Sequence, residues 1–146
     1  KASVLGDYVA AKLGFDEGES ARYMAVTGDY SGYMLFFFEN GKVAKVELSS
    51  YATKTNRRKL VGAYSDKSPV VAIVQAPEDG EFMLTATSGR MLLANAGAVS
   101  SKATRTTQGV AVMTQKKTTV QQMHQDFLRC FKVLILPAHL YEQLLG

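Results

Sequence analysis

Tyr33-Met34-Leu35-Phe36-Phe37-Phe38-Glu39-Asn40-Gly41-Lys42-Val43-Ala44-Lys45-Val46-Glu47-Leu48 is the stretch that decides the fold. Its first six residues are aromatic or apolar, and β-branched and aromatic side chains favour a pleated, half-buried strand. Asn40-Gly41 follows, the dipeptide that most readily supplies the positive φ angles of a tight hairpin turn. Residues 42–48 then alternate in character, which predicts a returning strand with one wet face.

Working outward, 23–26 is a short apolar run and predicts another strand, and 70–74 reads as a buried strand. Residues 77–80 (Pro-Glu-Asp-Gly) read as a turn. The pattern then recurs: 82–86 is a strand, Ser88-Gly89 a turn, 90–94 the return, and 110–113 a further apolar run. Superposing Gly41 on Gly89 sets an offset of 48 residues, at which Lys54 falls on Lys102, Arg57 on Arg105 and Ala63 on Ala111. A period of about 40–50 residues with several short strands per unit is the mark of propeller-type blades. The expected fold is all-β, a propeller-like partial disc of about three blades. A partial first blade covers 1–30, and units of about 31–80 and 81–117 follow. A C-terminal tail, 118–146, is expected to be helical: Val120, Met123, Phe127, Leu128 and Phe131 keep helical spacing, and Leu140, Tyr141, Leu144 and Leu145 follow Pro137.

Charge is unevenly spread along the chain. Residues 1–40 hold three Lys or Arg against six acids, whereas 41–120 hold twelve against five, and 82–125 contain no acid at all. A block that excludes acids points to a polyanionic partner better than the net charge of +4 does. Cys130 is the single cysteine, which excludes an internal disulfide and a multi-cysteine metal site and fits a reducing, cytoplasmic setting. The apolar run after Lys132 is too short to span a bilayer, and no run of 18 apolar residues exists, so no membrane role is expected. The chain opens on Lys1 and reads as an excised fragment.

Enzyme signatures are missing. No Walker loop, nucleophile elbow or His-Glu-x-x-His occurs, and His124 and His139 lie beside no carboxylate pair. Gly14-Phe15-Asp16-Glu17-Gly18-Glu19 lacks the spacing of a calcium loop and reads as a surface turn. Neither a catalytic residue, a metal nor a cofactor is expected. The basic loops are different. Thr53-Lys54-Thr55-Asn56-Arg57-Arg58-Lys59 and Lys102-Ala103-Thr104-Arg105-Thr106-Thr107 mix cations with hydroxyls and amides. Cations supply charge to phosphate oxygens and the neutral groups fix position, with little sequence information. Lys42, Lys45 and Arg90, just past the two turns, extend the expected track, and Lys116-Lys117 close it.

The segments 35–46, 51–60 and 103–113 resemble the Gly-turn and "Thr-Arg…Gln-Gly-Val" portions of the repeats in the C-terminal domain of the A subunit of bacterial DNA gyrase and topoisomerase IV. The likeness covers about residues 5–117. It implies a β-pinwheel, a propeller-like disc with a basic perimeter that bends duplex DNA around itself. It also implies a non-catalytic accessory domain of an ATP-dependent type IIA topoisomerase, working with the rest of the A subunit and with the B subunit. The family's cleavage tyrosine, metal site and ATPase lie in other parts of the enzyme. The Gln-Arg-Arg-Gly-Gly-Lys-Gly box that gyrase uses for tight wrapping is absent from this sequence. An isolated partial disc leaves open sheet edges, so pairing with a second copy is expected. A protein-docking propeller that ignores DNA is the alternative reading.

Overall fold

Backbone pairing in two successive hairpins repeats with the period read from the sequence. The computed structural model describes residues 6–55, 60–76, 78–86 and 88–114, and the backbone of Lys132–Leu134. Strand β1 (Tyr33–Phe38) runs antiparallel to β2 (Lys42–Glu47), with Tyr33 opposite Glu47 and Phe37 opposite Val43. Gly41 turns the chain at φ +77°, its N–H donating to the Phe38 carbonyl (3.0 Å), while the Asn40 side chain accepts the Lys42 N–H (3.1 Å). Two further strands, β4 (Glu81–Thr85) and β5 (Met91–Asn95), form the second hairpin, around Gly89 at φ +77°. Each residue pair of the first hairpin becomes a pair of the second when 48 is added, Tyr33 with Glu47 becoming Glu81 with Asn95. A short 3-10 turn follows each, Leu48–Tyr51 and Ala96–Ala98, entered by matching bonds from Leu48 N–H to the Gly32 carbonyl (3.0 Å) and Ala96 N–H to the Gly80 carbonyl (2.8 Å).

Later segments complete each sheet. β3 (Val70–Ala76) lies antiparallel on the free side of β1, with a register irregularity between Phe37 and Phe38. β6 (Ser101–Lys102) and β7 (Val110–Ala111) belong in sequence to the second unit but pair with β2 of the first, β6 parallel and β7 antiparallel. β8 (Lys132–Leu134) pairs with β4. The resulting sheets run β3-β1-β2-β6, with β7 also on β2, and β5-β4-β8. Residues 101–113 thus form a strap that reaches back and covers the edge of the preceding sheet.

Two glycines let the strap lie close. Gly109 has φ +73°, and a Cβ there would overlap the backbone of Val43 and Ala44. A Cβ on Gly41 would overlap the Met113 carbonyl, and the Gly41 carbonyl accepts the N–H groups of both Val112 and Met113 (3.0 Å each).

Alternation along β1 and β2 sends side chains to two cores. Leu35, Phe37 and Val43 face the second hairpin and pack with Phe82, Leu84, Ala86, Ala96, Val99 and Met113. Phe37, 2% exposed, meets Phe82 edge-on with ring centroids 5.0 Å apart. Burying such a ring contributes about 1.5–3 kcal/mol, and the aromatic pair about 0.5–1.5 kcal/mol more. Met34, Phe36, Phe38, Ala44, Val46 and Leu48 face the other way, against Ala25, Tyr30, Tyr51, Tyr64 and Ile73.

Three expectations are corrected. β2 has no wet face: residues 43–46 are all buried, because the second hairpin covers one side and the N-terminal and 51–64 segments cover the other. Residues 23–26 form no strand. Tyr23, Met24 and Val26 are exposed, and this segment touches β3 through the Tyr23 hydroxyl, which accepts the Gln75 N–H (3.0 Å), and through the Val26 carbonyl, which accepts from the Gln75 side chain (2.8 Å). Within the tail expected to be helical, Lys132–Leu134 is a strand, since its backbone finds partners along β4. The helical positions at 120–131 and 140–145 lie outside the described residues, as do Cys130, His124 and His139. In the expected partial blade 1–30, the described residues include one short helix, α1 (Val9–Leu13), closed by Gly14 at φ +63°. The acidic turn after it is mostly exposed, with the Asp16 N–H bonded to the Glu19 carboxylate (2.7 Å).

The close approach of the strap gives a paired prediction. Gly109→Ala should cost roughly 2 kcal/mol or more, since it adds an overlap with β2 backbone to a left-handed conformation. Gly89→Ala, at a similar φ but with open space around it, should cost about 1 kcal/mol. Urea denaturation midpoints compare the two, and equal shifts would contradict the close packing of the strap.

Candidate nucleic-acid interface

The strap decides where the basic loops go. Between β6 and β7 the chain runs out along residues 103–109 and returns to β2, so this loop emerges beside the 3-10 turn that ends the first hairpin. There Arg105 donates from Nη1 to the Ser50 carbonyl (3.1 Å). A depression of about 310 Å³ lies to one side, lined among others by Ser50, Gly62, Thr104, Arg105 and Thr106. A second of about 310 Å³ is lined by Ala52, Thr53, Lys54, Thr55, Leu60 and Arg105. The loops at 52–55 and 103–106, one from each unit, are therefore neighbours.

Apart from Lys45, the expected cations fall into three groups. Lys54, Arg90 and Lys102 are exposed. Lys42 and Arg105 are half-buried and bonded within the chain, Lys42 Nζ to Gln108 Oε1 (3.2 Å) and Arg105 as above. Lys42 and Arg90 occupy the same place one repeat apart, directly after the glycine of each hairpin turn. Arg57, Arg58, Lys59, Lys116 and Lys117 lie outside the described residues.

Lys45 is a correction. It is 5% exposed, forms an ion pair with Asp79, donates to the Ala96 carbonyl (3.3 Å) and lies 4.3 Å from the centre of the Tyr33 ring. Alternation puts it on the face shared with Leu35 and Val43, which the second hairpin covers. Its charge is spent between the two units and is not offered to a phosphate. Leu93 stands at the equivalent place in the second unit, so the repeat carried no hint of this role.

Several participants had no signal as ligands in the sequence. The Ser50 carbonyl is available because the 3-10 turn presents it, and Gln108 matters because it holds Lys42. Tyr51, the residue just before the first loop, donates from its hydroxyl to the Ala63 carbonyl (2.6 Å). Burial pushes its phenol up to about 12, against a smaller downward pull from the Arg105 charge. Among the described residues no group of three His, Cys, Asp or Glu is placed to hold a metal ion, and no helix is long and apolar enough to cross a membrane.

Two predictions follow from these environments. Asp79→Ala leaves a buried ammonium without its carboxylate, with the Ala96 carbonyl still accepting from it, and should cost about 1–3 kcal/mol. Lys45→Met should be close to neutral, because a well-packed apolar replacement avoids the desolvation of the charge and Asp79 keeps access to water. Chemical denaturation of the two variants checks the asymmetry. For Tyr51, the folded pKa lies above the unfolded value of 10.0. Its contribution to stability is complete below about pH 10 and is lost as pH rises toward about 12. Ultraviolet titration of the folded protein should contain a late phenolate transition that Tyr51→Phe removes.

The sequence matches no family model and no curated protein. The structure is similar to a solved one, the C-terminal domain of DNA topoisomerase IV, with a TM-score of 0.68 and 24% identity. The match covers 91% of this chain and 39% of that one, so the chain spans about two fifths of the length of the structure it matches. With two hairpin units joined by a strap that crosses from one to the other, the chain has the β-pinwheel fold of that domain.

Proposed function

We propose that the chain binds the backbone of duplex DNA without sequence preference, as an accessory, non-catalytic part of a type IIA topoisomerase A subunit. In that setting it would help present DNA for strand passage or supercoiling, alongside the rest of the A subunit and the B subunit in the cytoplasm. The observation that carries the reading is the meeting of two basic loops, one from each unit, around Arg105. Lys54 stands exposed there with Thr53, Thr55, Thr104 and Thr106, and Lys102, exposed in β6, leads into the second loop, a mixture of charge and hydroxyls that suits phosphate oxygens. Arg90, after the second turn, is exposed as well. The run 82–125 itself contributes no acid that would repel a polyanion. The likeness in fold to a topoisomerase IV domain supports the same reading.

Counterion release supplies the test. The logarithm of the binding constant for a mixed-sequence duplex should fall linearly with the logarithm of salt concentration, with a slope of about −0.9 per neutralised phosphate. Lys102→Gln should reduce that slope by about 0.9 and weaken binding to all duplexes alike. A binding constant indifferent to salt, or a loss confined to one sequence, would overturn the proposal.

A second reading has one observation in its favour. On the outer face of the second sheet Met91 is 62% exposed and Leu93 40%, an apolar face that a protein partner would cover. Capture of a partner that survives nuclease treatment, with no DNA binding by the isolated chain, would favour it.

A further inference from the structure

The basic loops differ in how their cations are held. Lys54 and Lys102 are exposed, whereas Arg105 is half-buried and committed to a backbone carbonyl of the preceding unit. Arg105 also contributes to the lining of both depressions, the one with Thr104 and Thr106 and the one with Thr53 and Lys54. It therefore borders both depressions and ties the second loop to the turn that precedes the first. Gly62 lies close to the methyl group of Thr106, which would sit 3.3 Å from a Cβ added there, so the second loop also lies close to residue 62. A planar guanidinium with several donors in fixed directions suits such a joint. The compact ammonium of an exposed lysine suits a phosphate that it reaches as a point charge.

Resting on the phosphate-binding reading above, we infer that Arg105 is a positioning residue. It clamps the second unit's loop onto the 3-10 turn of the first and so brings Lys54 and Lys102 into one line for a phosphodiester strand. The contribution of Lys54 to binding then depends on Arg105, although the two side chains belong to different units.

A double-mutant cycle on the whole chain tests this, with duplex DNA as the probe and the salt slope as the readout. Arg105→Lys keeps the charge but replaces the fork with a single ammonium. Lys54→Gln should reduce the slope by about 0.9 in the natural chain and by close to nothing in the Arg105→Lys background. Equal reductions in both backgrounds would mean independent phosphate contacts and would overturn the inference while leaving DNA binding intact. Absence of any salt-dependent binding by the natural chain would overturn the DNA reading itself, and this inference with it. If circular dichroism finds Arg105→Lys unfolded, Arg105→Gln, a neutral donor, carries the same cycle with the same two outcomes.

Discussion

The free edge of β2 is the constraint on which the rest depends. Backbone N–H and C=O groups along a buried edge need partners, because leaving them unpaired away from water is costly. In this chain the partners come from the following unit, through β6, β7 and the bonds that Val112 and Met113 make to Gly41. The approach is close enough that only glycine fits at 41 and 109. Neither unit is complete alone: the first lacks an edge without the second, and the second buries Phe82 and Leu84 in a cluster that Leu35, Phe37 and Val43 of the first complete. Folding of the described residues is in this sense a joint event of both hairpins.

The same constraint delivers chemistry. A strap anchored at both ends along β2 has to release its middle, residues 103–109, as a loop beside the turn at Leu48–Tyr51. Arg105 reaches Ser50 as a result, and two loops separated by half a hundred residues in sequence become one surface. Lysines that look alike in sequence end in opposite roles. Lys45 is absorbed between the units by Asp79, the Ala96 carbonyl and the Tyr33 ring, while Lys54 and Lys102 remain in water. Burial of an ammonium is tolerable only where a carboxylate and further acceptors meet it, and Lys45 has both.

The second sheet repeats the geometry of the first but not its surroundings. Even-numbered Phe82 and Leu84 face the first unit, whereas Met91 and Leu93, equivalent to Val43 and Lys45, are exposed. One backbone design thus presents a covered face in one unit and an open one in the other.

Much of the fold was legible in the sequence. Asn40-Gly41 and Ser88-Gly89 mark the two turns, and the period of 48 that they set is kept pair by pair in the hairpin registers. These features are local: a turn needs a residue tolerant of positive φ, and a strand needs side chains that suit a pleat. The positions of Lys54, Arg105 and Lys102 along the repeat were equally plain. What alternation could not tell is which faces find cover. Residues 42–48 read as half-wet, yet tertiary packing buries both sides of β2, and residues 23–26 read as a strand, yet no sheet edge accepts them as one. The fate of each charge was decided in the same way. A period assigns a residue to a place in its own unit, but whether that place meets water, a carboxylate or a neighbour's carbonyl depends on the unit packed against it.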